Sequence, residues 1–339
     1  MVRTVLVTGS TGLQARALIK SLLSSNSSSE DKFRILGLTR NPSNPLAQSL
    51  QKECQDDPNI DETGLTFVKG NLDDEAGLCS IFEEEKKKDG IWGVHIVLPF
   101  PGLGNKVDGE AKQGILVANL ALEYSVSHVI YSSAARLTSV DEQGTASHGA
   151  KGVIEKHVKS LGEKGLKYTI IQPSLFMELF EGPLGPLTVS MFRAGLPPDT
   201  KIQLIASEDI GNIAGAIFKN HEQYIGKTIL VVGDVLTVKE QDEAYKNATG
   251  RARSASPSIL AKIILKTSSA AKEIVVDIRK EHEARTADAE GFEKGLKESK
   301  AVYPEVMTYE TWVKKVKERA PPKGWNKLSL VNVLTGKKA

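Results

Sequence analysis

The sequence predicts an α/β fold, in which a doubly wound parallel sheet is followed by a smaller, mostly helical C-terminal lobe. Strand-like segments of about four to eight residues alternate with helix-like segments of about ten to fifteen residues up to Pro173. A glycine-rich turn directly follows the first strand, and the alternation becomes irregular after Pro173. Short strands joined through helices imply right-handed crossovers and a parallel sheet covered by helices on both faces.

The predicted strands are short apolar runs, and the predicted helices carry apolar residues mainly on one side. Strands are expected at 4–8, 33–39, 65–72, 92–98, 128–133 and 167–173, and helices at 13–23, 44–55, 74–88, 110–125 and 152–164. We therefore assign residues 1–180 to the sheet domain and residues 181–339 to the smaller lobe, from which some segments return to the sheet.

The lobe is less regular. Segments 181–187 and 195–200 are rich in glycine and proline and are expected as turns. Ser207 is expected to cap a helix over 207–220. Further elements are expected as strands at 201–206 and 227–233, as a helix near 238–249, and as charged helical chain from 251 onward.

Composition excludes several classes of function. The 44 Lys and Arg residues nearly balance the 42 Asp and Glu residues, so no strong field attracts nucleic acid or an anionic membrane. The two cysteines favour a reducing compartment, and the six histidines show no metal-ligand spacing. The sequence shows no signal peptide and no apolar stretch of the ~20 residues that span a bilayer. We expect a cytoplasmic protein, with the nucleus as a second compartment, that binds neither membrane nor nucleic acid directly.

The first strand ends in the pattern Gly9-x-x-Gly12-x-x-Ala15, and a helix starts within it. A helix start offers unpaired N–H groups and partial positive charge, and glycines let a pyrophosphate approach the backbone. The hydroxyls of Thr8, Ser10 and Thr11 can act as further donors. This pattern favours a dinucleotide of the NAD(P) type and a Rossmann domain; the alternative is a structural turn without a ligand.

The end of the second strand indicates which dinucleotide. The chain reads LGLTRNP there, so Arg40 stands where an NAD site carries an acidic residue for the ribose 2′-hydroxyl. A guanidinium matches a 2′-phosphate through two hydrogen bonds. We therefore expect NADP(H) rather than NAD(H), unless Arg40 is an ordinary surface residue.

The next two strand ends are expected to complete the same crevice. Asn71 and Leu72 follow the third strand, where Asn71 can bond the edge of an adenine, and Asp73 and Asp74 are expected to cap the next helix. The fourth strand ends in Leu98, Pro99 and Phe100, which are expected along the ribose and pyrophosphate unless the proline only forms a loop.

Seven segments together resemble the NmrA-like family, which consists of atypical relatives of the short-chain dehydrogenases/reductases close to the isoflavone-reductase-like proteins. They are VTGSTGLQARALIK, GLTRNP, KGNLDD, YSSAARL, GAKGVIEKHVK, IIQPSLFMEL and SEDIGNIAGAIF. The resemblance implies a Rossmann domain, a small substrate-side lobe and a preference for NADP. The dinucleotide contacts that it implies are Gly9, Ser10, Thr11, Gly12, Leu13, Gln14, Arg40, Asn71, Leu72, Leu98, Pro99, Phe100, Lys151, Phe176, Met177, Glu178 and Leu179.

The catalytic pair of a short-chain dehydrogenase is missing. That pair is Tyr-x-x-x-Lys, whose tyrosine protonates the product alkoxide, and none of the seven tyrosines has a lysine four positions later. Ser147 stands four positions before Lys151. Lys151 can bind the nicotinamide ribose or donate a proton itself, unless it is a surface lysine at a helix start. His148 is a second candidate acid, unless it is a loop histidine without a role.

Two serines are candidates for the substrate. Ser132 and Ser133 end the fifth strand, where one hydroxyl can bond a substrate carbonyl; the alternative is that both only form the loop.

Two functions remain open at this point. One is an NADPH-dependent reductase of a small carbonyl or unsaturated substrate. The other is a redox sensor that binds NADP or NADPH without turnover and regulates a protein partner. The absent tyrosine favours the sensor. The apolar segment LFMELF at 175–180 and the substantial C-terminal lobe favour an enclosed substrate pocket, unless that segment is only part of the core. The oligomeric state is left open.

Overall fold

The computed structural model describes residues 2–24, 32–98, 108–135 and 146–318. The strands are β1 (Val2–Val7), β2 (Lys32–Thr39), β3 (Leu65–Lys69), β4 (Gly93–Ile96), β5 (His128–Ser132), β6 (Tyr168–Pro173), β7 (Leu175–Phe176), β8 (Ile202–Ile205), β9 (Thr228–Val231) and β10 (Asp234–Leu236). Seven of them form one sheet in the order β3-β2-β1-β4-β5-β6-β9, and every neighbouring pair in it is parallel. The predicted doubly wound α/β fold is confirmed.

The helices are α1 (Leu13–Ser24), α2 (Pro45–Asp56), α3 (Glu75–Lys86), α4 (Asp108–Glu123), α5 (Ala146–Gly162), α6 (Gly185–Gly195), α7 (Ser207–Lys219), α8 (Val238–Thr249), α9 (Ser258–Thr267), α10 (Ser269–Ala287), α11 (Ala289–Val302) and α12 (Tyr309–Glu318). Within the described ranges, no helix combines the length and the apolarity that crossing a membrane requires.

The two faces of the sheet bury two separate cores. Alternation along β1 sends Val5 and Val7 into one core and Leu6 into the other, as the two-residue period of a strand requires. Side chains of α1, α2 and α7 fill the first core, and side chains of α3, α4 and α5 fill the second. The strand order reverses between β1 and β4, so the carboxyl ends of these strands flank the crevice where such sheets bind ligands.

Helix α7 holds α1 in place beneath that crevice. A Cβ added at Gly211 would lie 2.3 Å from the carbonyl oxygen of Gln14, so only glycine permits this approach. The start of α1 is therefore fixed by close contact between the backbones of two helices.

The lobe contains a second, three-stranded sheet in the order β10-β8-β7. A third apolar core joins it to α6, α9, α10 and α12. Inside the lobe the buried guanidinium of Arg253 bonds Asp242 at 2.8 Å and the hydroxyl of Tyr309 at 3.2 Å. The strand β9 lies between β8 and β10 in the sequence, but it is part of the main sheet, at the edge beside β6.

Three predictions about individual elements are wrong. The segment 181–187 is not all turn, because α6 starts at Gly185 with Pro186 in its first turn, where a missing N–H costs nothing. Ser207 does not cap α7; it is the first helical residue, and Ala206 occupies the cap position. Helix α5 starts at Ala146 rather than at residue 152, which places Lys151 inside the helix.

Candidate functional site

The turn after β1 leaves no room for a side chain at Gly9. Gly9 adopts φ +57°, and a Cβ there would lie 2.9 Å from the carbonyl oxygen of Val97 beside it. The amide of Gly12 donates to the carbonyl of Gly9 at 2.8 Å, and α1 begins one residue later. Since the first turn of α1 carries no acidic residue, its partial positive charge is not offset by a carboxylate of its own.

The hydroxyls around this turn bond the neighbouring strands. Ser10 is buried, and its Oγ donates to the carbonyl of Leu38 on β2 at 2.9 Å. Thr8 donates to the carbonyl of Val97 and accepts from the amide of that residue, both at 2.8 Å. These side chains brace the turn between β2 and the end of β4, whereas Thr11 is only half-buried.

Arg40 stands directly after β2, the strand that pairs with β1. Its side chain is exposed and makes no hydrogen bond or ion pair with the part of the chain that the structure describes. The backbone beyond it is turned by Asn41, whose Oδ1 accepts from the amide of Ser43 at 3.0 Å. The guanidinium is therefore available to a ligand at this edge of the sheet.

Polar residues follow β3. Asn71 is exposed, and its Oδ1 accepts from the amide of Asp73 at 3.3 Å. Asp74 caps α3 by accepting from the amide of Gly77 at 3.0 Å, which confirms one of the two predicted caps. Asp73 does not cap the helix; it accepts from Gln113 on α4 at 2.7 Å.

Leucines follow both β3 and β4. Leu72 is half-buried and Leu98 is buried beside the crevice. Pro99 and Phe100 lie outside the described residues, so their predicted contacts stay predictions.

The two serines at the end of β5 differ in their partners. The hydroxyl of Ser132 donates to Oε1 of Gln14 at 2.8 Å, so the start of α1 is tied to the end of β5. The hydroxyl of Ser133 is buried and has no hydrogen-bond partner among the described residues. An unpartnered buried hydroxyl is costly, and a bound ligand would offset that cost.

Lys151 is paired with a carboxylate that no sequence pattern indicates. Its Nζ donates to Oε1 of Glu110 on α4 at 2.7 Å, and the two side chains are 18% and 4% exposed. One turn further along α5, buried Glu155 accepts from Gln172 on β6 at 3.1 Å. His148 lies on α5, but its side chain is outside the described residues.

The residues that follow β6 lie in different surroundings. Met177 is fully buried in the core of the lobe, Phe176 packs against the first core, and Leu179 is 40% exposed. Glu178 is buried, and its Oε1 accepts from the amide of Ser207 at 2.9 Å, which supplies the missing cap of α7. Burial raises the pKa of the Glu178 carboxyl to about 7.

The chain has relatives among known proteins. A model of the NmrA-like family matches residues 1–313. The NmrA-like family domain-containing oxidoreductase malD of Malbranchea aurantiaca is 25% identical over 272 residues, which cover 73% of this chain and 73% of that protein.

Solved structures share the fold. NmrA, a negative transcriptional regulator solved in complex with NAD, matches with a TM-score of 0.65 and 17% identity over 93% of this chain and 95% of that one. The triphenylmethane reductase of Citrobacter sp., complexed with NADP(H), matches with a TM-score of 0.61 and 16% identity over 92% and 99%. Since the family model extends over all but the last residues of the sequence, the chain belongs to the NmrA-like family.

Proposed function

We propose that this protein binds NADP(H) and acts as an NADPH-dependent reductase of a small carbonyl or unsaturated substrate. The observation that carries the proposal is that two adjacent strands end in features that suit two parts of one ligand. After β1, Gly9 leaves backbone amides and a helix start open to a pyrophosphate. After β2, Arg40 offers a guanidinium that no described residue pairs with. A dinucleotide with a phosphate on its adenosine ribose fits both features.

The relatives support the cofactor and the class of reaction. The oxidoreductase malD is a sequence relative, and the Citrobacter reductase was solved with NADP(H). NmrA has been solved with NAD and also with NADP, so the fold itself accepts either nucleotide. The choice of NADP(H) here rests on Arg40 and on the absence of an acidic residue between Phe33 and Asn44.

When bound, the nicotinamide supplies a hydride, and the residues of this chain supply orientation and polar contacts. The buried hydroxyl of Ser133, which has no partner among the described residues, can donate to a substrate carbonyl. Lys151 has three N–H donors, of which Glu110 takes one, so two remain for the cofactor or the substrate. Lys151 and His148 are the candidate sources of the proton that completes reduction.

The redox sensor is the second candidate. None of the seven tyrosines precedes a lysine by four positions, so the acid that short-chain dehydrogenases use is absent. NmrA, which shares the fold, is a negative transcriptional regulator solved with NAD. A sensor would bind NADP or NADPH without turnover and contact a regulatory protein partner.

The reductase and the sensor would use the same parts of the chain. The cofactor would lie on residues 1–180, and residues 181–339 would contribute the substrate pocket or the partner contact. Cys54 and Cys79 are free thiols, which suits the cytoplasm.

One experiment separates the reductase from the sensor. NADPH oxidation is measured as the loss of NADPH absorbance with a panel of carbonyl, quinone and conjugated substrates. In a second assay, the protein partners captured by this chain in the presence of NADP are compared with those captured in the presence of NADPH. Turnover by the wild type that is lower in the Ser133→Ala variant supports the reductase. Background oxidation with every substrate, together with nucleotide-dependent capture of one protein, contradicts the reductase and supports the sensor.

A further inference from the structure

Glu110 and Lys151 join the beginnings of two neighbouring helices. Glu110 is the third residue of α4 and Lys151 the sixth residue of α5, and their side chains meet at 2.7 Å. One turn further along α4, a Cβ at Gly114 would lie 2.6 Å from Cδ1 of Ile154. The absence of a side chain at Gly114 lets the helices approach at this level and brings the carboxylate within reach of the ammonium.

The ion pair of Lys151 lies in part-buried surroundings. Both helix starts carry partial positive charge, and the Lys151 side chain is only 18% exposed. The Glu110 carboxylate suits the start of α4 and offsets the charge of Lys151. A part-buried ammonium without that partner would lose most of its compensation.

We propose that Glu110 is a positioning residue for the dinucleotide site. It fixes the direction of Lys151 Nζ, so that the two remaining N–H groups bind hydroxyls of the nicotinamide-side ribose. The inference rests on the proposed function, because it takes Lys151 as a cofactor contact. In this arrangement the pair acts as one hydrogen-bonded unit, in which Glu110 orients the Lys151 side chain towards the cofactor.

The test measures NADPH affinity by calorimetry and the unfolding midpoint by thermal denaturation, on the full chain. The variants are Lys151→Met, Glu110→Gln and the exchange E110K/K151E. Glu123→Gln is the control, because it removes a carboxylate from the same helix about 20 Å away, at 1.5 Å per residue. Positioning by Glu110 predicts that Lys151→Met and Glu110→Gln each weaken NADPH binding about tenfold, the second because a neutral amide no longer offsets the charge of the ammonium and holds it less firmly. Glu123→Gln should leave NADPH binding unchanged.

The exchange variant separates positioning from a merely structural ion pair. It restores an opposite-charge pair, so its unfolding midpoint should lie closer to that of the wild type than the midpoints of the two single variants do. Its NADPH affinity should stay as low as that of Lys151→Met, because the ammonium now projects from α4. Recovery of affinity together with the midpoint would overturn the proposal.

The outcomes also distinguish this inference from the proposed function. If the wild-type protein gives no heat with NADPH, the proposed function fails and the inference fails with it. If the wild type binds and Lys151→Met weakens binding while Glu110→Gln leaves it unchanged, only the role of Glu110 is overturned.

Discussion

The hydroxyl of Ser132 donates a hydrogen bond to Oε1 of Gln14 at 2.8 Å, although the two residues lie 118 positions apart. The bond ties the end of β5 to the first turn of α1. It also uses the oxygen of the Gln14 amide and leaves the NH₂ group of that amide to donate elsewhere. Ser132 therefore sets the orientation of a side chain that the family resemblance assigns to the dinucleotide.

Ser132→Ala is expected to weaken NADPH binding about threefold to tenfold, because a hydrogen bond contributes roughly 1 kcal/mol. Calorimetric titration of the purified variant measures this change. The adjacent Ser133→Ala is the matched control, since its hydroxyl has no partner among the described residues and is assigned to the substrate. Equal losses of NADPH affinity in both variants would contradict the role given to Ser132.

Gly9→Ala is expected to reduce both stability and NADPH affinity. A residue with a side chain costs about 1–2 kcal/mol in the left-handed region, and the new Cβ would also meet the carbonyl of Val97 at 2.9 Å. Gly90→Ala isolates the first effect, because Gly90 has φ +74° with no atom within 4 Å of the added Cβ. Thermal denaturation and calorimetry on both variants check this prediction, and a normal NADPH affinity in Gly9→Ala would contradict it.

Burial of Glu178 makes stability depend on pH. Its pKa is about 7 in the folded protein, above the ordinary value of 4.5, so the folded state holds this proton more tightly than the unfolded chain does. The stabilisation is complete below about pH 4.5 and is lost as the pH rises through about 7. Each unit of pKa difference corresponds to about 1.4 kcal/mol.

Glu178→Gln removes this dependence and keeps an oxygen that can accept from the amide of Ser207. The unfolding midpoint of the wild type should therefore fall more steeply between pH 5 and pH 8 than that of the variant. Asp209, whose pKa burial raises to about 6, acts in the same direction and is present in both proteins. Parallel curves for the two proteins would show that Glu178 does not titrate in this range.

The sheet and the glycine turn were predictable because their signals are local. The apolar run before Gly9 and the amphipathic pattern after it belong to one short segment, and the same holds for Asp74 at the start of α3. The fold class follows from repeating such units along the chain.

Contacts between distant segments were not predictable in the same way. Glu110 is one acidic residue among 42 and lies 41 positions from Lys151, so no spacing connects them before the helices pack. The cap of α7 comes from Glu178 on another segment, whereas the sequence pointed to the local Ser207. The start of helix α6 is not predictable from local signals, because Pro186 is typical of a turn and is equally tolerated in a first helical turn.

The most direct test is a calorimetric titration of NADPH and NADH into the wild type, into Arg40→Ala and into Lys52→Ala, which removes an exposed charge from α2. We expect the wild type to bind NADPH more tightly than NADH. Arg40→Ala should lose about 10- to 100-fold in NADPH affinity with little change for NADH, because charge-assisted hydrogen bonds contribute about 1.5–3 kcal/mol. Lys52→Ala should match the wild type. No heat with either nucleotide would contradict dinucleotide binding, and equal losses for NADPH and NADH in Arg40→Ala would contradict recognition of the 2′-phosphate by Arg40.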